Sequence, residues 1–192
     1  MRLFPPVALA GAVFLAGCGH SPATTFLVLD PTPPLAAVTA YAGPPLRVPF
    51  VHLPVTLDRP ELVRRDVAGT LTVEDFARWS APLGIMARDT LVQDLTQRLP
   101  GGAVLPPDAP TAPKEVRVEA TVLAFEVSDG GAALTASYRL VTAGSSAVRP
   151  SVVQLSTPLS EDAPPARAQA WSRLLALLSD RIVADLRPQG IP

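Results

Sequence analysis

Cys18 is the one cysteine in a chain of 192 residues, and it closes the tetrad Leu15-Ala16-Gly17-Cys18. A thiol preceded by small side chains suits a particular chemistry. A diacylglycerol is transferred to the sulfur, and a peptidase whose cleft admits only small residues then cuts before the cysteine. The upstream residues agree with this. Arg2 supplies a minimal positive start, and the apolar run Leu3 to Leu15 follows. That run is shorter than a spanning helix and is interrupted by Pro5 and Pro6, which fits a cleavable export signal. We therefore expect residues 1–17 to be a signal peptide and Cys18 to be the lipid-modified first residue of the mature chain. With one cysteine, no disulfide forms within the chain, and the fold must rest on its core.

Other reactive side chains are sparse. The two histidines are His20, close to the lipid site, and His52, in an apolar β-like run. Two histidines without a further free cysteine do not make a zinc site. No G-x-S-x-G elbow, P-loop or G-x-G-x-x-G is present, and Gly144-Ser145-Ser146 reads as a turn. Neither catalysis nor a cofactor or metal is expected. Loss of residues 1–17 removes Arg2 and no acid, which leaves 15 of the 16 basic residues against 17 acidic ones, a net charge of −2. That balance lacks the basic footprint of a nucleic-acid binder or of a polybasic membrane-surface protein.

Two segments hold more than packing asks for. Leu57-Asp58-Arg59-Pro60-Glu61-Leu62-Val63-Arg64-Arg65-Asp66 is a dense charge run, and Phe76-Ala77-Arg78-Trp79-Ser80-Ala81-Pro82-Leu83 sets a cation beside an aromatic. The plain readings are a solvated loop and a tryptophan packed over the core at the start of a helix. If the chain binds a protein partner, Arg59, Arg64, Arg65, Arg78 and Trp79 are the candidate contacts, since charges tune association and an aromatic anchors it.

The elements that must position these residues are marked off by proline. Its 23 copies crowd at 31–34, 44–49, 100–113 and 158–165, leaving 61–81, 114–149 and 166–187 free. Thr25 to Leu29 reads as a strand covered on both faces. Leu46 to Val55 reads as a second, with Pro49 at an edge or bulge. Glu61 to Val73 suits a hairpin turning near Gly69, although Thr72 with Asp75 suits the start of a helix as a capping box. A helix is expected over 81–99, capped by Ser80, with Pro82 in its first turn and Ile85, Val92, Leu95 and Leu99 on one face beside Leu91. A three-strand meander follows. Val116, Val118, Ala120 and Val122 alternate with polar residues, and Asp129-Gly130-Gly131 makes the turn. Leu134, Ala136, Tyr138 and Leu140 alternate in turn, and a third strand lies near 151–157. Trp171, Leu174, Leu175, Leu178, Ile182 and Leu186 follow helical spacing over 166–187, with Arg173, Asp180, Arg181 and Arg187 off that stripe. The expected architecture is α+β, a single domain with a mostly antiparallel sheet and two amphipathic helices packed on it.

The charged and aromatic segments also resemble a known family. Leu53-Pro54, Leu57 to Arg65, Asp75 to Leu83, Ile85, Arg88, Leu91, Asp94-Leu95 and Arg98 to Pro100 together are similar to the ABC-type transport auxiliary lipoproteins of the PqiC/YmbA type. The likeness extends to the lipobox, the strand at 26–29, the strand around 116–125 and the last helix. It departs in the short signal with two prolines and in Thr25-Phe26, where the family often has tyrosines. The resemblance divides the chain into a signal at 1–17, a lipidated tether at 18–24 and the family domain at 25–192. It implies a non-catalytic subunit at the periplasmic face of the outer membrane, working with MCE-domain proteins and an ABC-type system that moves lipid. Homo-oligomers occur in such a family. Gly19, rather than aspartate, after the cysteine fits outer-membrane placement. A generic outer-membrane scaffold for envelope assembly is the alternative, and a periplasmic hydrolase is a third reading that the histidine count disfavours.

Overall fold

The structure is a computed structural model that describes residues 22–35, 40–66, 68–128, 130–142 and 150–186. The lipobox with Cys18, His20, Asp129, Gly144 to Ser146 and Arg187 lie outside those residues.

The alternation that begins at Val116 builds the longest pairing. Strands β6 (Val116–Ser128) and β7 (Gly131–Thr142) run antiparallel from Val116 opposite Thr142 to Ser128 opposite Gly131. Gly130 turns the chain at φ +79°, a left-handed backbone that glycine adopts without steric cost. The register slips between Val122 and Ala124, and that bulge has a visible result. Val116, Val118, Ala120 and Val122 are buried, and after the slip Phe125 and Val127 take over the inward positions. Leu123 is left outside. β8 (Ser151–Pro158) pairs antiparallel along β7. On the other edge of β6 lie β2 (Leu46–Arg47) and β3 (Val51–His52), both parallel to it. The apolar run at 46–55 is thus two short edge strands, with Pro49 between them where its missing N–H breaks the ladder.

A second, three-stranded sheet stands apart from the first. Its order is β1 (Thr25–Leu27), β5 (Leu71–Trp79), β4 (Glu61–Arg65), with β1 parallel and β4 antiparallel to β5. The hairpin reading of 61–73 holds, and the capping-box alternative at Thr72 and Asp75 does not, because both residues lie inside β5. Asp66 closes the turn by accepting the Thr70 N–H on Oδ1 at 2.8 Å. The expectation that 25–29 is covered on both faces is corrected. Leu27 and Leu29 are buried, but Phe26 and Val28 face outward, because β1 packs through one side only.

Two helices complete the α+β domain. α1 (Leu83–Arg98) begins at Pro82 with no side-chain cap, so Ser80 is not the cap. Instead the Ser80 N–H donates to the Leu27 carbonyl at 2.9 Å, and its hydroxyl approaches the Met86 sulfur at 3.8 Å. The buried stripe of α1 is Leu83, Ala87, Thr90, Leu91, Asp94, Leu95 and Arg98. Of the expected face, Leu91, Leu95 and Leu99 are buried and Val92 partly so, but Ile85 is exposed, because the stripe is turned toward Thr90, Asp94 and Arg98. α2 (Pro164–Leu186) buries all six expected residues, from Trp171 to Leu186. Trp171 stacks on Phe125 with ring centroids 4.5 Å apart and 17° between planes. α2 packs on α1, β7 and β8, and α1 reaches β3, so the core lies between the helix pair and the larger sheet.

Candidate functional site

The charge run at 57–66 folds into a turn and β4, and its cations engage acids of the same chain. Glu61 sits between Arg59, whose Nε donates to it at 3.0 Å, and Arg78, at 3.5 Å. The Arg59 hydrogen bond, helped by the charges of Arg59 and Arg78, holds the Glu61 carboxyl below its ordinary range. At the far end of β4, Arg64 reaches Asp162 at 3.3 Å and Arg65 reaches Glu126 at 3.9 Å. Solvated pairs of this kind contribute little stability, so an external partner can exchange for either member at small cost.

Trp79 answers differently. It is the last residue of β5, its N–H donates to the Pro60 carbonyl at 2.8 Å, and its side chain is buried. Its main role is packing, as the plain reading had it, although at the end of a strand rather than at the start of a helix. Trp79, with Arg59, Pro60, Pro82 and Leu83, also lines a cleft of about 390 Å³. The structure therefore gathers Arg59, Arg78 and Trp79 at one end of the small sheet and sets Arg64 and Arg65 at the other. Arg64, but not Arg65, borders a more polar cleft of about 530 Å³ with Asp66, Glu161 and Asp162.

Three buried cations escaped the reading of the sequence, and each organises a region around these surfaces. Arg167 on α2 donates to Asp162 and to Glu74, both at 2.6 Å, and so fixes the acid that Arg64 meets. Its position four residues before Trp171, on the apolar stripe of α2, is the signal that marks it. Arg47 lies in the apolar run of β2. Its guanidinium donates to the carbonyls of Pro106, Pro107, Ala109 and Pro110 at 2.7–3.1 Å and to Glu115 at 3.0 Å, which organises the proline-rich loop after α1. Burial works against ionisation of Glu115, but the Ala112 N–H and Arg47 outweigh it and hold the carboxyl below its usual value. Arg98 joins the two helices. Its Nε donates to Asp180 at 2.6 Å, and its Nη1 donates to the Thr32 and Asp94 carbonyls.

His52 tilts against Phe50, with centroids 4.4 Å apart, on an exposed edge strand. Among the described residues no group of three or more His, Cys, Asp or Glu side chains converges as a metal site. No helix among them is long and apolar enough to cross a membrane. Among the described residues the surface carries the clefts beside Trp79 and Arg64, a smaller one of about 260 Å³ beside Phe50 and His52, and a set of exchangeable ion pairs, an arrangement suited to recognition.

Residues 27–183 match the family of ABC-type transport auxiliary lipoprotein components, and the chain belongs to that family. It is an auxiliary component of an ABC-type transport system. The fold is shared with solved structures. One crystal structure of an uncharacterised protein is 19% identical, with a TM-score of 0.69 over 86% of this chain and 99% of that one. A protein from Xanthomonas campestris is also 19% identical, with a TM-score of 0.60 over 83% of this chain and 92% of that one. No functionally curated protein matches the sequence.

Proposed function

We propose that this chain is a non-catalytic subunit of an ABC/MCE-type lipid transport system. It is held at the periplasmic face of the outer membrane by lipid on Cys18, with residues 18–24 as the tether, and it docks there on a periplasmic MCE-domain protein. The family match over residues 27–183 carries the reading. The tetrad ending at Cys18, followed by Gly19, supports the anchor and its membrane. The exposed pairs of Arg64 and Arg65 support a protein contact, because their cations can be re-used without unfolding anything. Repetition of the subunit as a homo-oligomer is part of this reading.

Co-purification tests it. Tagged full-length chain, extracted mildly, should recover an MCE-domain protein from the same cells. An Arg64→Glu, Arg65→Glu double variant should recover several-fold less, with an unchanged circular-dichroism spectrum. If the wild-type chain recovers no MCE-domain protein, the transport reading gives way to the scaffold for envelope assembly.

A further inference from the structure

The three-stranded sheet hides one face and leaves part of the other open. Leu27, Leu29, Ala77 and Trp79 point into the core, while Phe26, Val28 and Phe76 are 66%, 52% and 47% exposed. Exposure alternates from Phe26 at the end of β1 through Leu29 just after it, and from Phe76 to Trp79 at the end of β5, as extended chain requires, so these three side chains share the outer face. The register sets Phe26 beside Arg78. Phe76, two residues before Arg78 on the same strand, is then a diagonal neighbour of Phe26, within reach for aromatic side chains. A solvated strand face is satisfied by polar residues. Two phenylalanines and a valine placed there mark a contact surface.

The occupant follows from where the strand comes from. Cys18 lies eight residues before Phe26, a reach of at most about 26–29 Å even for a fully extended chain. A lipid on Cys18 therefore keeps this face close to the bilayer. Arg78 lies at the margin of the patch, and its contact with Glu61 is an exposed one at 3.5 Å. A guanidinium in that place suits the phosphates of lipid headgroups. So small an apolar patch would hold a membrane weakly by itself. Next to an anchor the same contact is intramolecular, and its effective concentration is raised accordingly.

We infer that the outer face formed by Phe26, Val28 and Phe76 lies on the phospholipid surface that holds the anchor, with Arg78 toward its phosphates. This rests on the reading that Cys18 is acylated. The contact fixes the orientation of the domain, so that the opposite end of the small sheet, with Arg64 and Arg65, is presented away from the patch.

The test uses the full lipidated chain, in which acylation leaves an introduced cysteine as the sole free thiol. Phe26→Cys, Phe76→Cys and the control Val152→Cys, on β8 and 64% exposed, are labelled with an environment-sensitive fluorophore. They are then reconstituted in vesicles of phosphatidylethanolamine and phosphatidylglycerol. The probes at 26 and 76 should shift to the blue and be quenched several-fold more by spin-labelled lipid than the probe at 152. A chain that floats with the vesicles while the probes at 26 and 76 report water overturns the inference and leaves the anchor standing. Probes shielded from water but not quenched by lipid also overturn it, in favour of a second copy or another protein over the patch. A chain that does not float overturns the anchor, and this inference with it.

Discussion

Asp94 accepts the backbone N–H of Thr32 on Oδ1 at 2.8 Å, and its other carboxylate oxygen, equally buried, has no hydrogen-bond partner. The carboxyl sits under the segment that follows β1, on the side of α1 that faces α2. Burial raises its pKa from 3.8 to about 6, against the lowering effects of the Thr32 N–H and the Arg98 charge, while the charge of Asp180 raises it further.

Stability should therefore carry a pH dependence of defined sign. Asp94 binds its proton more tightly folded than unfolded. Its favourable contribution is complete below about 3.8 and is lost as the pH rises through about 6. At pH 8 the ionised form is a cost on the order of 2–3 kcal/mol. Asp94→Asn should keep the acceptor for Thr32 and remove that cost. Urea melts at pH 5 and pH 8 should show the variant gaining on the wild type as pH rises. An equal difference at both values would remove Asp94 as the titrating group.

Arg47 should prove irreplaceable by lysine. Its planar fork serves four carbonyls and Glu115 together, a geometry that a single ammonium does not reproduce. Arg47→Lys should lower the denaturation midpoint and open the loop at 105–113 to proteolysis. Arg47→Ala should do so more severely, since Glu115 is then left buried without its cation. Limited proteolysis with mass mapping reads the effect, and uncut loops in both variants would contradict it.

Trp171→Ala should destabilise the domain by about 3–5 kcal/mol and Leu178→Ala by about 2–5 kcal/mol. Both side chains are fully buried, and Trp171 also loses its stack on Phe125. Denaturant midpoints check this, and an unchanged midpoint for either would place that residue outside the core.

Cys18→Ser should abolish incorporation of labelled palmitate and leave the precursor uncleaved. On the proposed reading the thiol is the acceptor, and cleavage at this type of site follows acylation. Gel mobility and autoradiography of labelled cells decide it. A labelled serine variant would show that the lipid resides elsewhere.

The meander and α2 are legible because apolar residues dominate their inward positions, and the buried Arg167, Ser172 and Ser179 of α2 do not break its stripe. Val116 to Val122 and Trp171 to Leu186 carry apolar residues that repeat at two and at three-to-four residues. α1 was found but rotated, because three positions of its core stripe, Thr90, Asp94 and Arg98, are polar. A pattern search for apolar residues passes over such positions and settles on Ile85 instead. The bulge at Leu123 was equally silent, since an extra residue changes the phase of a strand without changing its composition. For the candidate site, the charge density of 57–66 was legible, but its sorting into two ends was not. That depends on Glu61, Asp162 and Glu126, and on Arg167, which holds Asp162 in place. The burial of Trp79 is legible in the apolar residues around it, whereas the cleft beside it needs Pro60 and Pro82 brought together by the fold.

The way residues 25–32 are fastened has a mechanical consequence. Three registered pairs hold β1 to β5, and the Leu27 carbonyl accepts from Ser80. The Asp30 N–H then donates to Ser172 on α2, and the Thr32 N–H donates to Asp94 on α1. A tug on Cys18 thus enters the fold at Thr25 and meets a series of fastenings, first the small sheet, then one helix, then the other. Each holds until the one before it has yielded. Drag on the domain is absorbed by the outermost of these links, and the fastening of Thr32 to Asp94 on α1 feels it last.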